Sequence, residues 1–319
     1  MPTPESFVPV AITTRSGMDE SVHFGAVVGL GRNGEIEFAV GDPNAVIYPR
    51  SANKPMQAVA MVRSGLSLPP QLLALTCASH DGTPLHIEGV RRILTIAGLQ
   101  PEALANTAGL PLDPAAAADV LRAGGAPTAL LMTCSGKHSS MLATCVHNGW
   151  AHDSSYLDVE HPLQVAVSGV VDELTGEPHA HIGVDGCGAP AHAMSLVGLA
   201  RGFRAIAVGD AGAAGLKVYE AMTTHPEMVG GDTCQVTPIM RHVPGLMAKD
   251  GADGVFAAAL PDGRTVALKI SDGADRARPA VLLAGLQALG IDTTAVAALV
   301  EERIMGHGRQ VGSVRAIAP

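Results

Sequence analysis

The sequence predicts an α+β fold: one antiparallel sheet assembled from both chain ends, with a helical subdomain inserted between them. Three observations carry this. The chain opens in hairpin texture, it changes to three-to-four-residue apolar periodicity from about residue 55 to 240, and strand texture returns after about 243. The expected organisation is a sheet-containing part over 1–54 and 241–319 and a mainly helical part over 55–240, forming one structural unit.

Residues 8–14 and 22–29 read as strands, and Arg32-Asn33-Gly34 turns the chain into a third at 36–40. Residues 46–48 are extended, Pro49 follows, and Ser51 stands at the start of a helix carrying Met56, Ala58, Val59 and Val62. Helical periodicity then marks 86–97, 115–123, 137–147, 162–174, 191–202 and 211–222. Strands are expected at 247–249, 255–260 and 265–270, the last two joined by Pro261-Asp262-Gly263. Helices at 277–289 and 294–304 and a final strand at 314–318 close the chain.

Hydrophobic residues make up 47% of the chain and aromatics 3%, so the core must be aliphatic and alanine-rich. A net charge of -9 argues against nucleic acid or an anionic membrane as partner. The first residues, MPTPESF, lack the basic start and apolar run of a secretory signal, and no uncharged apolar stretch approaches a membrane span. Five cysteines, an odd count, fit reduced thiols or metal ligands in the cytoplasm.

Only five of the 21 basic residues are lysines: Lys54, Lys137, Lys217, Lys249 and Lys269. Lysine, unlike arginine, can lose its proton when desolvated or crowded by cations. Ser51-Ala52-Asn53-Lys54 places a hydroxyl and an amine three residues apart on one helical face. A lysine whose pKa falls from about 10.4 toward 7, a change of roughly 4–5 kcal/mol, can serve as the base that activates a serine. Lys269, in the apolar strand Leu268-Lys269-Ile270, is the expected second cation that helps depress it. Ser79-His80-Asp81-Gly82 is a turn whose serine can hydrogen-bond to a lysine. Cys134-Ser135-Gly136-Lys137-His138 and Asp185-Gly186-Cys187-Gly188 offer two thiols for a metal, with further ligands from His, Asp or a neutral lysine. Lys249, Asp253 and Gly254 lie in a glycine-rich turn that could approach a pocket. No phosphate-binding glycine motif sits between strand and helix, so nucleotide binding has no support.

Arg50-Ser51-x-x-Lys54-Pro55-x-Gln57, Ser79-His80-x-Gly82, Cys134-Ser135-Gly136-Lys137-His138, His161-Pro162-x-Gln164, Asp185-Gly186-Cys187-Gly188-x-Pro190 and Lys269-Ile270-x-Asp272-Gly273 together resemble the rhizobial-type (class 3) L-asparaginases, asparaginase II. The resemblance runs through nearly the whole chain. It implies the fold of serine β-lactamases, penicillin-binding proteins and serine glutaminases. It implies two Ser–Lys tandems, Ser51 with Lys54 and Ser79 with Lys269, and a zinc ion on Cys134, Lys137 and Cys187, with no organic cofactor. Substrate contacts fall to Arg50, His80, Asp185 and Gly254. The implied activity is hydrolysis of L-asparagine to L-aspartate and ammonia through an acyl-enzyme, by a cytoplasmic homodimer. On this reading Ser51 is the favoured nucleophile because of its position at a helix start, with Lys54 accepting its proton and Ser79 and Lys269 completing the proton network. The residues alone do not decide between the two serines. A glutaminase, a penicillin-recognising hydrolase, or a non-catalytic zinc- or amino-acid-binding protein are the rival readings.

Overall fold

The opening hairpin forms as β1 (Val8–Arg15) and β2 (Met18–Leu30), joined by Ser16 and Gly17. Both turn residues hold positive φ, 50° and 85°, the conformation whose twist matches a two-residue hairpin. In this computed structural model, which describes residues 3–317 and 319, β2 is the organising strand. Its first seven residues are exposed or half-buried except His23, whereas its last six residues are all buried. There β2 carries β3 (Ile36–Val40) on the edge it shares with β1, and β9 (Thr265–Ile270) on the other. With β7 (Met247–Gly251), β8 (Val255–Ala259), β10 (Arg303–Gly306) and β11 (Arg309–Ala316), the order is β10-β11-β1-β2-β9-β8-β7, antiparallel throughout.

Between β3 and β7 the chain is mainly helical. After β4 (Val46–Ile47) come α1 (Lys54–Arg63), α2 (Pro70–Thr76), α3 (Pro84–Ile96), α4 (Pro114–Arg122), α5 (Ser135–Asn148) and α6 (Pro162–Thr175). Strands β5 (His181–Val184) and β6 (Pro190–Ser195) interrupt them and form a second sheet in the order β4-β6-β5. Then follow α7 (Leu196–Val208), α8 (Gly212–Thr224), α9 (Pro226–Val229) and α10 (Val236–His242); α11 (Arg278–Ala288) and α12 (Thr294–Ala297) lie after β9. Helices α7 and α11 pack on β2, β8 and β9, while α1 packs among α5, α6, α7 and α8. Lys54 through Met61 of α1 and Ser135 through Cys145 of α5 are buried without a break. Two lysines therefore begin their helices inside the protein.

Two expected helices are corrected. Residues 191–202 divide into β6 and α7, because Ser195 caps the helix by accepting from Gly198 N at 2.9 Å. The preceding Ala191-His192-Ala193-Met194 is buried on both faces, where apolar periodicity cannot separate strand from helix. The helix expected over 294–304 stops at Ala297, and the chain returns as β10 to pair with β11. His307 and Gly308, both at positive φ, make that hairpin turn. The final strand begins at Arg309, earlier than expected, and Ala318 lies outside the described residues. Helices α2 and α10 have no counterpart in the expectation from sequence.

A glycine fixes the contact between the two halves of the molecule. A Cβ on Gly251, the last residue of β7, would collide with the Pro49 carbonyl and sit 3.1 Å from Ala52 N. The turn that carries Ser51 thus rests directly on the β7 backbone. Gly251→Ala is expected to cost about 1–3 kcal/mol in urea unfolding and to lower turnover in the protein that remains folded. An unchanged unfolding midpoint and turnover would show that the contact is slack.

Candidate active site

Arg50–Asn53 form a 3₁₀ turn that runs into α1. Arg50 holds φ 53°, a conformation that a non-glycine residue keeps only when its surroundings enforce it. One turn further, Lys54 is 1% exposed. Its amine donates to the Ala78 carbonyl, to Ser79 Oγ at 3.1 Å and to Cys134 Sγ at 3.2 Å. Burial pushes this lysine below its ordinary pKa; Lys249 and Lys137 push the same way, and the Cys134 and Cys187 sulfurs oppose them.

Ser79 follows α2 in a turn pinned by backbone bonds, Ser79 N to Val229 O at 3.0 Å and His80 N to Thr133 O at 3.1 Å. Ser51 is half-buried and makes no side-chain hydrogen bond among the described residues, so the Ser–Lys bond present here is Ser79–Lys54. His80 is wholly buried, donates or accepts at Ser135 Oγ (2.9 Å) and stacks on His86. Burial first, then His86 and Lys54, keep its imidazole well below the usual pKa and hence neutral.

Lys269, the expected second cation, stands elsewhere. Its amine donates to the Asp253 carbonyl, and the charges acting on it are Asp272, Arg50 and Asp275. Burial is the main cause that lowers its pKa. The cation beside Lys54 is Lys249, completely buried in the middle of β7 and bonded to the Asp250 carbonyl (2.9 Å) and carboxylate. The register explains the exchange. Lys249 pairs with Ala257 and Ala257 with Ala267, so Lys249 and Lys269 rise from the same sheet face, two strands apart. Two strand spacings are about 10 Å, which gives the two amines different neighbours. Burial would raise the Asp250 carboxyl, but Lys249, Arg278 and Lys54 outweigh it and hold it low. Arg278 also donates to the Gly251 carbonyl at 2.5 Å.

Cys134 and Cys187 face each other at the start of α5 and in the turn before β6. The hydrogen bond between them, helped by Lys54 and Lys137 against burial, lowers Cys134 well below the ordinary thiol value, while the same bond and burial raise Cys187. Lys137 Nζ lies 3.2 Å from Cys187 Sγ. Burial works against its charge, yet both sulfurs and Asp185 outweigh burial and raise its pKa. A Cβ on Gly136 would sit 2.8 Å from Leu75 Cγ, so α5 reaches this position by packing its glycine against the end of α2. Two sulfurs and an amine suit a borderline-soft cation such as zinc. The buried Nε2 of His138, beside Cys187, has no hydrogen-bond partner. Among the described residues no group of three or more His, Cys, Asp or Glu side chains could hold a metal.

Asp185 joins this chamber to the outside. Its Oδ1 accepts from Arg50 Nε and from Gly186 N, each at 2.8 Å, and Lys137 acts on it from within. Burial alone would raise its pKa, but these partners bring it below the ordinary value. Arg50 also pairs with Asp253, a second non-glycine residue at positive φ (57°). Gly254 at φ 76° packs against Ile270.

A profile of the family described as L-asparaginase II matches residues 11–316. The chain belongs to the L-asparaginase II family. It is accordingly a hydrolase acting on amides, with a small-molecule substrate. Solved structures with some similarity to this chain include a β-lactamase from Mycobacterium bovis, 16% identical over 83% of this chain and 94% of that one, with TM-score 0.40. A Bacillus glutaminase is 13% identical over 84% and 92%, TM-score 0.38. The native form of Mglu is 14% identical over 86% of this chain, which spans 63% of that longer one, TM-score 0.37. No curated protein matches. No helix among the described residues is long and apolar enough to cross a membrane.

In this asparaginase II chain, sequence reasoning placed Lys249 only in a turn that could approach a pocket and did not single out its neighbours Asp250 and Arg278. The available signal was a lysine inside a strand, Met247-Ala248-Lys249, with apolar neighbours on its N-terminal side. Lys249→Met is expected to lower kcat by about 100-fold or more, the scale of a lost proton-transfer partner. Lys269→Met should act chiefly on KM. Steady-state kinetics on both variants check this; a kcat loss confined to Lys269→Met would reverse the assignment.

Proposed function

We propose that this protein converts L-asparagine to L-aspartate and ammonia through a serine-bound acyl-enzyme, as the resemblance to the zinc-containing Ser–Lys asparaginases implies. The observation that supports it is the dry amine of Lys54, depressed in pKa and 3.1 Å from Ser79 Oγ. A neutral Lys54 takes the hydroxyl proton as Ser79 attacks the side-chain amide carbon, and returns it to the departing nitrogen. Water then adds to the ester by the same proton route and releases aspartate. Lys249, bonded to Asp250, acts on Lys54 in the direction that favours its neutral form.

A second reading rests on the strained turn at Arg50. There Ser51, the next residue, attacks, and Ser79 relays the proton that Lys54 collects. Substrate α-groups face the Arg50 end of the site in both readings. Cys134, Lys137 and Cys187 would hold zinc. When bound it would supply positive charge for orienting substrate, while the serine remains the nucleophile. Selectivity for asparagine over glutamine is part of the proposal.

Wild-type protein is expected to release ammonia from L-asparagine faster than from L-glutamine, and Lys54→Met to lose at least about 100-fold in kcat. Trapped acyl-enzyme identified by mass spectrometry in Ser51→Ala but not in Ser79→Ala supports attack by Ser79; the opposite pattern selects Ser51. Ammonia release unchanged in Lys54→Met would end the reading. Chelation should raise KM more than it lowers kcat, as measured by kinetics before and after zinc is restored.

A further inference from the structure

A cleft of about 910 Å³ lies beyond Arg50, between the end of β9 and the small β4-β6-β5 sheet. Phe7, Ile47 and Ala193 give it an apolar wall, and Arg50, Asp253 and Lys269 stand at its charged end. None of the chamber residues Lys54, Cys134, Lys137 and Cys187 lines it, and each of them is at most 5% exposed. The two spaces make different demands on a substrate. In the proposed reaction the reacting group is an unsubstituted primary amide, handled among the buried residues around Lys54. Arg50 stands at the end of a volume large enough for a drug-sized ligand, far more than an amino group and a carboxylate fill.

Charge decides which α-group carries the extension. Lys269 makes no ion pair among the described residues; its amine bonds to a carbonyl. It is placed to receive an α-carboxylate. Asp185 and Asp253 are both already paired with Arg50. Asp272, at the exposed rim, accepts from Ala274 N and acts on Lys269. No unpaired buried acid therefore awaits an α-ammonium among the described residues, whereas an uncharged acylated nitrogen needs none.

We propose that the cleft is an acyl subsite, and that the enzyme accepts N-acyl-L-asparagines with an apolar acyl group and a free α-carboxylate. The inference rests on the amidohydrolase reading above. In the reaction the C–N bond of the primary amide breaks, water supplies the hydroxyl of the new carboxyl, and the nitrogen leaves as ammonia. The amide on the α-nitrogen stays intact, and the product is the N-acyl-L-aspartate.

Ammonia release is measured from L-asparagine and from N-benzyloxycarbonyl-L-asparagine, with wild type and with Ala180→Trp. Ala180 is an exposed cleft residue whose backbone N–H bonds the Ala193 carbonyl at 2.8 Å, a bond the substitution keeps. Wild type is expected to turn over the acylated substrate with a kcat/KM at least equal to that for asparagine. Ala180→Trp should lose about tenfold or more on the acylated substrate, about 1.4 kcal/mol, with asparagine unaffected, and Ala180→Leu should fall between. Turnover of asparagine with the benzyloxycarbonyl derivative inert, or equal losses on both substrates in Ala180→Trp, overturns the subsite alone. No ammonia from either amide overturns the catalytic reading and the subsite together.

Discussion

The site is governed by the removal of an amine from water. Lys54 begins a helix buried along eight consecutive residues, so its ammonium form gives up hydration that the protein returns only in part. The other two buried lysines of the cluster have a carboxylate acting on them: Lys249 bonds Asp250, and Asp185 acts on Lys137. Lys54 has a carbonyl, a hydroxyl and one sulfur, and no carboxylate bonded to it among the described residues. Burial with Lys249 and Lys137 lowers its pKa, whereas the two sulfurs and Asp185 raise that of Lys137. A neutral amine beside Ser79 Oγ is what a serine hydrolase without a histidine base requires.

How much of this could be read in the sequence depends on the distance over which each feature is decided. Hairpins governed by local turn chemistry were legible, as Arg32-Asn33-Gly34 shows. So were amphipathic helices such as α3 and α6. Elements buried on every side were not: β6 shows no alternation because both its faces are covered, and its join to α7 is marked only by Ser195. The same limit applies at the site. Ser51, Lys54, Ser79 and the Cys134-x-x-Lys137 run could be singled out by local company alone. Choosing between Lys249 and Lys269 could not be done that way. Each is a lysine in an apolar strand, and only the pairing of β7 with β8 and β8 with β9 determines which stands over α1. The preference for Lys269 followed its more conspicuous neighbours, Asp272 and Gly273, which belong instead to the outer cleft.

The chamber draws on five separated stretches of sequence: 50–54, 79–80, 134–138, 185–187 and 249–251. Much of their alignment comes from the backbone. Gly251 lets β7 press against Pro49, Gly136 lets α5 press against α2, and His80 N is tied to Thr133 O. Such contacts have little freedom to slide, since a close-packed interior changes position in discrete steps. Arg50 then connects this rigid interior to the cleft. Its guanidinium spans Asp185, which touches the lysine–sulfur cluster electrostatically, and Asp253, which sits on the β7–β8 turn beside Lys269. Arg50 and Asp253 are both held at positive φ, so the ion pair connects two backbone positions that would relax if it were removed. The strain at this junction lies at the end of the cleft where the proposed substrate would present its α-groups. Substrate recognition and the geometry of the Ser51 turn are thus mechanically one problem, with Arg50 as the shared member.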